Sequence, residues 1–296
     1  MTNIILMRQL ITFKLIFQFF LYFKRCYRIL RIYLYCEKFK PMIRSIAITV
    51  FVFLLVSFTP WDKKGKWVPL FNGKNLDGWT MKMAGYPLGE NFGNTFRVEN
   101  GILSVRYDQY KSFDNTFGAL YYDKEFSNYR LKVEYRFVGE TTPGAPSWGF
   151  RDSGVQYHGQ TPTTIGLNQS FPVCIEYNLH GGNGKDERPV GEICTPGTFV
   201  DVNGKKNENF CTAPTIKRTF HGDQWVTLEI EVRGNKIKHF VNGEEILQFE
   251  NPRYNPEHEF GKTFIKGNND AISSGYISLQ SNSHPIDFRK IEIMEF

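Results

Sequence analysis

The sequence has few cysteine and histidine residues, which are the usual ligands of zinc. It contains five cysteines and six histidines in 296 residues. Neither a Cys-x-x-Cys nor a His-x-x-x-His spacing occurs among them, so the usual sequence signatures of a zinc site are missing. A zinc-binding module is therefore excluded as the organising element of this chain.

Helical periodicity is also missing. From Phe71 to the C terminus, no run of ten or more residues repeats its apolar side chains at helical spacing. Short alternating runs recur instead, and Asn100-Gly101 and Asn242-Gly243 supply tight turns between two pairs of them. Many short antiparallel strands in about 230 residues predict an all-β sandwich.

The part of the chain that should fold has no excess of basic over acidic residues. Residues 1–60 hold nine of the 36 Lys and Arg residues and one of the 30 acids, so 27 basic and 29 acidic residues remain, a net charge of −2. The overall charge of +6 therefore gives no argument for a nucleic-acid partner.

The N-terminal region has the composition of a targeting segment. Met42-Ile43-Arg44 and the apolar run 45–58 match the charged and hydrophobic regions of a secretory signal peptide. The run is shorter than the roughly 20 residues of a membrane span. We expect 42–60 to be a signal peptide and 61–296 to be an exported domain, in the periplasm, the outer envelope or the extracellular space. A retained N-terminal anchor is the alternative, and the signal or that anchor would be the protein's only link to a membrane.

Residues 1–41 precede that signal and are basic and aromatic. A signal peptide does not normally carry such a leader. We therefore interpret 1–41 as a leader of doubtful authenticity and expect translation to begin at Met42. A first membrane helix over 11–23 is the alternative.

Three cysteines lie in the predicted domain. Cys194 and Cys211 bracket a loop rich in Gly, Pro, Asn and Lys, and an oxidising compartment permits a disulfide there. We predict that these two are bonded, which stabilises a fold by roughly 3 kcal/mol in the chain-entropy model. Cys174, inside a predicted strand, is then the odd thiol.

Two predicted strands carry an unusual set of polar side chains. By alternation, Gln156 and His158 share one face of the first, and Glu176, Asn178 and His180 share one face of the second. If the strands are neighbours with these faces aligned, Glu176, His158, Gln156 and Asn178 converge. A solvated outer sheet face is the alternative. Such a face more often carries Thr, Lys, Ser and Glu than a carboxylate, an imidazole and two amides.

Long loops between the predicted strands carry aromatic side chains, Trp148 among them. Loops of this length inside a domain are often functional, and aromatic faces above a polar sheet are what the stacking of sugars requires. Core packing is the alternative, because 16% of the chain is aromatic.

Six motifs along the predicted domain share one resemblance. They are Phe71 to Trp79, Phe96 to Leu103, Asp152 to His158, Pro172 to Glu176, Trp225 with His239 to Gly243, and Gly275 to Arg289. Over about residues 67–296 they resemble the 3-keto-disaccharide hydrolase domain family. The resemblance implies a concanavalin-A-like jelly-roll sandwich of two curved antiparallel sheets. It also implies an exported enzyme that cleaves glycosides already oxidised at C3, with a carbohydrate as its partner.

The implied chemistry is an elimination. A C3 ketone acidifies the hydrogen on C2, so a base can remove it and the group on C1 can leave, after which water adds and net hydrolysis results. This path needs a base, an acid and donors for the enolate oxygen. We predict Glu176 and His158 as the catalytic pair. The predicted substrate-binding residues are Gln156, Asn178, Gln280, His284, Trp148 and Asp152. No cofactor follows with certainty, and a divalent cation in the groove stays an open alternative.

A non-catalytic role is the competing hypothesis. The same fold supports lectins as readily as enzymes, so a carbohydrate-binding envelope protein is the alternative function. Such a protein does not need Glu176 and His158 side by side. Glu229 and Glu231 alternate on one strand, and we interpret them as part of a solvated sheet face rather than as the acid pair of an ordinary glycosidase.

Overall fold

The protein is described by a computed structural model over residues 65–296, which form two antiparallel β-sheets. The predicted signal peptide and leader lie outside the described residues. Within 65–296 no helix is long and apolar enough to cross a membrane, and helical structure is limited to short 3-10 turns at Phe92–Asn94, Pro162–Thr164 and Gly261–Phe264.

Ten strands form the larger sheet. They are β1 (Val68–Pro69), β3 (Phe96–Glu99), β4 (Ile102–Val105), β6 (Tyr129–Phe137), β10 (Thr198–Val202), β11 (Lys205–Lys206), β13 (Val226–Arg233), β14 (Lys236–Val241), β15 (Glu244–Tyr254) and β17 (Ile286–Glu295). Their order is β11-β10-β15-β14-β13-β6-β17-β4-β3, and β1 pairs with β17. The Asn100-Gly101 and Asn242-Gly243 turns join β3 to β4 and β14 to β15, as the sequence predicts.

Seven strands form the smaller sheet. They are β2 (Trp79–Met83), β5 (Gly118–Phe126), β7 (Asp152–Gly159), β8 (Ile175–His180), β9 (Ile193–Cys194), β12 (Cys211–Thr212) and β16 (Gly275–Ser281). Their order is β12-β9-β8-β7-β16-β5-β2. β7, β8 and β9 follow one another in the chain, whereas β16, from near the C terminus, lies between β7 and β5, so this part of the sheet is held together by long-range pairing.

The core lies between the two sheets. In β6 every second residue is buried and the residues between are half-buried, which is the pattern of a strand with one face in the core. Its partner face is supplied by Val155, Tyr157, Ile175 and Tyr177 of the smaller sheet, which belong to the same hydrophobic cluster. The prediction of an all-β, concanavalin-A-like jelly-roll sandwich is therefore confirmed.

The second face of the smaller sheet is covered rather than solvated. β7 is buried at all eight positions, and β8 is buried at all but His180, which is half-buried. The alternative interpretation of a solvated sheet face therefore does not describe these two strands. Loops close over them and leave a cavity.

The cysteine prediction is confirmed. Cys194 and Cys211 are disulfide-bonded, and Cys174 is a free, buried thiol. The bonded pair lies directly opposite each other on β9 and β12, so the bond joins the last two strands at one edge of the smaller sheet.

Glu229 and Glu231 lie on β13 of the larger sheet and form ion pairs there. Arg130 donates from Nε to Oε2 of Glu229 at 2.6 Å, and its Nη1 lies 3.5 Å from Oε2 of Glu231. Both residues therefore belong to a network of ion pairs on the face of β13. Glu229 is buried, whereas the sequence predicts a solvated position.

Candidate active site

A row of residues crosses the covered face of the smaller sheet. Ser278 lies opposite Gln156, Gln156 opposite Glu176, and Glu176 opposite Cys194. Cys194 in turn lies opposite Cys211. Directly opposed residues of antiparallel strands point to the same face. The candidate carboxylate is therefore flanked by an amide on one side and by the disulfide on the other.

A cavity of about 400 Å³ opens above this row. Its polar lining consists of Asp152, Glu176, Asn178, His180, Gln280 and Asn282. Its apolar lining consists of Trp148, Phe171, Pro196, Phe210 and the disulfide. A second, more open cavity of about 590 Å³ adjoins it and shares Trp148, Asp152 and His180 with it. These three side chains form the common border of the two cavities.

Glu176 is the buried carboxyl group of the first cavity. Gln156 donates from Nε2 to its Oε2 at 2.9 Å, and Gln280 donates to the same oxygen at 3.3 Å. Gly154 makes room for the group, because a Cβ at this position would lie 2.5 Å from Cδ of Glu176. Burial raises the pKa of Glu176 to about 7, against the opposing effect of the hydrogen bond from Gln156. The carboxyl group can therefore accept or release a proton near neutral pH.

His180 and Asp152 form a charge pair beside it. Nε2 of His180 lies 2.9 Å from Oδ2 of Asp152, and Nδ1 lies 3.1 Å from the carbonyl oxygen of Pro189. Both of these oxygens are acceptors, and Nε2 also lies 3.2 Å from Nδ2 of Asn178. Burial works to lower the pKa of His180, but the contact with Asp152 outweighs it and the net pKa is raised. Asn282 donates from Nδ2 to Oδ1 of Asp152 and fixes its orientation.

Three amide oxygens of the lining have no donor among residues 65–296. They are Oδ1 of Asn178, Oε1 of Gln280 and Oδ1 of Asn282, and all three are buried. The nitrogens of Gln280 and Asn282 are already committed to Glu176 and Asp152. A buried acceptor without a partner costs about 1–3 kcal/mol, and the three side chains that carry these oxygens line the cavity.

His158 does not join this group, which corrects the expected pairing with Glu176. It does not line either cavity, and both of its ring nitrogens are buried without a partner among the described residues. Burial lowers its pKa to about 4, so the ring is neutral at pH 7. The reason is a β-bulge. Gln156 pairs with Ser278 and Gly159 pairs with Tyr276, so β7 has one more residue than β16 between these two pairs. His158 lies in this stretch and takes a left-handed φ of 48°. The alternation that holds up to Gln156 therefore breaks at this residue.

The predicted substrate-binding residues take three kinds of position relative to the first cavity. Asn178, Gln280, Trp148 and Asp152 line the first cavity. Gln156 lies beneath it, where Oε1 accepts from Ser278 and Nε2 holds Glu176.

His284 lies outside both cavities. Its Nδ1 lies 2.7 Å from Oγ1 of Thr141, and its ring packs edge-on against Phe137 and Phe150. Its position is that of a loop anchor rather than a cavity residue.

Sequence reasoning passed over His180, Asn282 and Phe210 as site residues. The signal for His180 was present, because it shares its strand face with Glu176 by alternation. Asn282 follows Gln280 by two residues and was detectable in the same way. Nothing in the local sequence marks Phe210, which reaches the cavity only because the disulfide returns its segment to the sheet edge.

One group of potential metal ligands occurs in 65–296. Ligand atoms of Glu192, Cys194 and Cys211 lie within 4.8 Å of one another. The two sulfurs are bonded to each other, and a disulfide does not offer the thiolate that binds metals. This group therefore does not fit a cation.

The chain is similar, at low sequence identity, to several solved structures. Among solved structures, a candidate glycosyl hydrolase from Parabacteroides distasonis is 18% identical with a TM-score of 0.47, over 78% of this chain and 94% of that one. A protein of unknown function with a galectin-like fold from Bacillus subtilis is 11% identical with a TM-score of 0.45, over 78% and 94%. A carbohydrate-binding module from Bacillus subtilis is 9% identical with a TM-score of 0.38, over 79% and 98%.

The family itself follows from the sequence match. None of the curated proteins matches the chain significantly. Residues 66–294, however, match the family model of the 3-keto-alpha-glucoside-1,2-lyase-like domain. With most of its length covered by that match, this carbohydrate-active chain belongs to the 3-keto-alpha-glucoside-1,2-lyase-like domain family.

Proposed function

We propose that the protein cleaves glycosides that carry a ketone at C3 of the sugar, with Glu176 as the base and His180 as the acid. One observation carries the proposal. A buried carboxyl group with a pKa of about 7 shares a cavity with an imidazole whose pKa is raised by its contact with Asp152. Acid–base elimination requires one group that accepts a proton and a second group that donates one.

The proposed reaction begins at C2 of the sugar. The ionised Glu176 takes the proton from C2, and the electrons of that bond move into the system conjugated with the C3 ketone. The C1–oxygen bond to the leaving group then breaks, and His180 gives its proton to the departing oxygen. The products are a 1,2-unsaturated 3-keto sugar and the free alcohol. Addition of water, with OH going to C1 and H to C2, completes a net hydrolysis.

The lining of the cavity supports a sugar as the ligand. Asn178, Gln280 and Asn282 line it with amide groups, and sugar hydroxyl groups can form hydrogen bonds with such groups. His180 and Asp152 belong to both cavities. The oxidised ring would therefore occupy the cavity of Glu176, and the leaving group would extend into the second one.

Export is part of the same proposal. The Cys194–Cys211 disulfide suits an oxidising compartment, and residues 42–60 have the composition of a signal peptide. Intact-mass measurement of protein from the envelope and medium tests this, with a mature chain beginning near Trp61 as the expected result.

Release of the leaving group from a 3-keto-glucoside tests the catalytic proposal. Wild type should act on the 3-keto-glucoside and not on the same glucoside unoxidised at C3. Glu176→Gln and His180→Ala should each lose a factor of roughly 10²–10⁴ in turnover. Glu231→Gln, which removes a carboxylate on the other sheet, is the matched control and should keep wild-type turnover.

Two outcomes would contradict the proposal. Undiminished turnover in Glu176→Gln would remove this residue from the chemistry. Binding of the sugar by wild type with no release of the leaving group would favour the carbohydrate-binding alternative.

A further inference from the structure

We propose that Phe210 is a substrate-binding residue. Phe210 and Trp148 form the two side walls between which the sugar ring is held. The Cys194–Cys211 disulfide keeps Phe210 in place. The inference rests on the proposed function, because it names the residues that bind the substrate of that same site. Its ligand class is a pyranoside, a ring with apolar faces and a hydroxyl-bearing edge.

The strand order puts the two aromatic residues on opposite sides of Glu176. Phe210 immediately precedes β12, at one edge of the smaller sheet. Trp148 stacks on Phe117, with ring centroids 5.8 Å apart and planes 8° apart, and Phe117 immediately precedes β5. Glu176 lies on β8, which is between β12 and β5 in the sheet order. The polar floor of the cavity is thus flanked by one aromatic side chain on each side.

Both aromatic side chains are unusually exposed for their surroundings. Phe210 is 64% exposed and Trp148 is 48% exposed, although both line the cavity. One face of Trp148 is occupied by Phe117, so its orientation is fixed without a ligand. Exposed aromatic surface is unfavourable by about 25 cal/mol per Å². A ligand ring that covers both side chains would remove that penalty.

The disulfide ties the backbone of Phe210 to the floor of the cavity. Cys211 follows Phe210 and is bonded to Cys194, which lies directly opposite Glu176. Thr195 donates its backbone N–H to the carbonyl oxygen of Phe210 at 2.9 Å, and its hydroxyl donates to the same oxygen at 3.3 Å. The backbone of Phe210 is therefore fixed two strands away from Glu176, while its side chain stays free to meet a ligand.

Wall and floor together select the shape of the ligand. The floor carries the polar side chains of Asn178, Gln280 and Asn282, and the walls offer aromatic faces. A pyranose ring presents hydroxyl groups at its edge and C–H groups on its faces, so it matches both surfaces at once. A flat apolar molecule without hydroxyl groups would fit the walls and leave the floor unpaired.

Steady-state kinetics with methyl 3-keto-glucoside test the role of Phe210. Phe210→Ala should raise KM about tenfold with little change in kcat, because a wall that binds substrate and transition state equally contributes to binding alone. Phe210→Tyr should restore wild-type KM. Phe296→Ala, which removes another exposed aromatic residue at the far end of the chain, is the control. A KM for Phe210→Ala within twofold of wild type would overturn the proposal.

The disulfide is tested by its coupling to Phe210. Reduction, or the double variant Cys194→Ser/Cys211→Ser, should raise KM in the wild-type background by a factor similar to that of Phe210→Ala. The same change in the Phe210→Ala background should add less than a further twofold. An equal rise in both backgrounds would show that the disulfide does not act through Phe210.

A binding measurement separates this inference from the proposed function. Calorimetric titration of Glu176→Gln with methyl 3-keto-glucoside, and with methyl glucoside, reports affinity without turnover. Weaker binding on adding Phe210→Ala supports the walls even if wild type proves inactive. Unchanged affinity for both sugars overturns the walls even if wild type is active.

Discussion

At the scale of single residues, the proposed chemistry depends on Glu176 and His180, and the surroundings of each raise its pKa. Burial raises the pKa of Glu176 to about 7, so a large fraction is ionised at neutral pH. The contact with Asp152 keeps the pKa of His180 raised despite its burial. Asp152 itself is fixed by Asn282. Burial therefore accounts for the raised pKa of Glu176, and the contact with Asp152 for the raised pKa of His180.

The pH dependence of kcat/KM should report these two groups. The rate should rise with pH as Glu176 ionises, with a midpoint near 7, and fall as His180 loses its proton. In Asp152→Asn both midpoints should move to lower pH, because Asp152 raises the pKa of His180 and also that of Glu176. Asp223→Asn, which removes a carboxylate paired with Arg151 outside the first cavity, is the control. Midpoints that stay fixed in Asp152→Asn would contradict the assignment.

At the scale of elements, β7 and β8 carry the site because loops cover the face of these strands that points away from the core. The pairing of Gln156 with Glu176 and of Gly154 with Asn178 brings a glycine close to the carboxyl group. The row then continues through Cys194 to Cys211 at the sheet edge. A strand that looks amphipathic in sequence is thus buried on both faces, with polar groups on one of them.

Gly154→Ala tests how closely β7 and β8 are fitted. The added Cβ would lie 2.5 Å from Cδ of Glu176, so the carboxyl group must move. We expect turnover to fall by more than tenfold and stability to fall by roughly 1–3 kcal/mol, the usual range for overpacking.

Gly166→Ala is the matched control for this substitution. A Cβ there would meet its nearest atom at 3.7 Å, which is ordinary contact. Full activity in Gly154→Ala would show that the position of the Glu176 carboxyl group does not matter for turnover.

At the scale of the whole molecule, the buried Glu176 should lower the stability of the fold at neutral pH. Its folded pKa of about 7 lies above the ordinary value of 4.5, so its contribution is fully present below pH 4.5 and is lost as the pH rises to about 7. Glu176→Gln lacks this loss. We expect the variant to match wild type near pH 4.5 and to exceed its unfolding free energy by roughly 3 kcal/mol above pH 7, at about 1.4 kcal/mol per pKa unit.

Urea denaturation at pH 4.5, 7 and 8 measures this difference. Glu231→Gln again serves as the control, because Glu231 is ion-paired on the other sheet. A stability difference that does not grow with pH would mean that Glu176 titrates normally in the folded protein.

The sequence by itself determined the all-β class, the hairpins at Asn100-Gly101 and Asn242-Gly243, the disulfide and the family. These follow from local alternation, turn residues and motifs, which do not depend on distant strands. The same alternation located Glu176, and Asn178 beside it, because β8 is regular over its length.

Only the tertiary structure decided which groups meet Glu176. The bulge in β7 removes His158 from the row. A bulge is defined by the pairing of β7 with β16, so no local pattern in the sequence of β7 predicts it. His180 meets Asp152 because β8 pairs with β7, and Phe210 reaches the cavity because a disulfide closes the sheet edge. Register, bulges and loop closure arise from contacts between distant segments. For that reason the sequence alone could identify the carboxylate but not its partners.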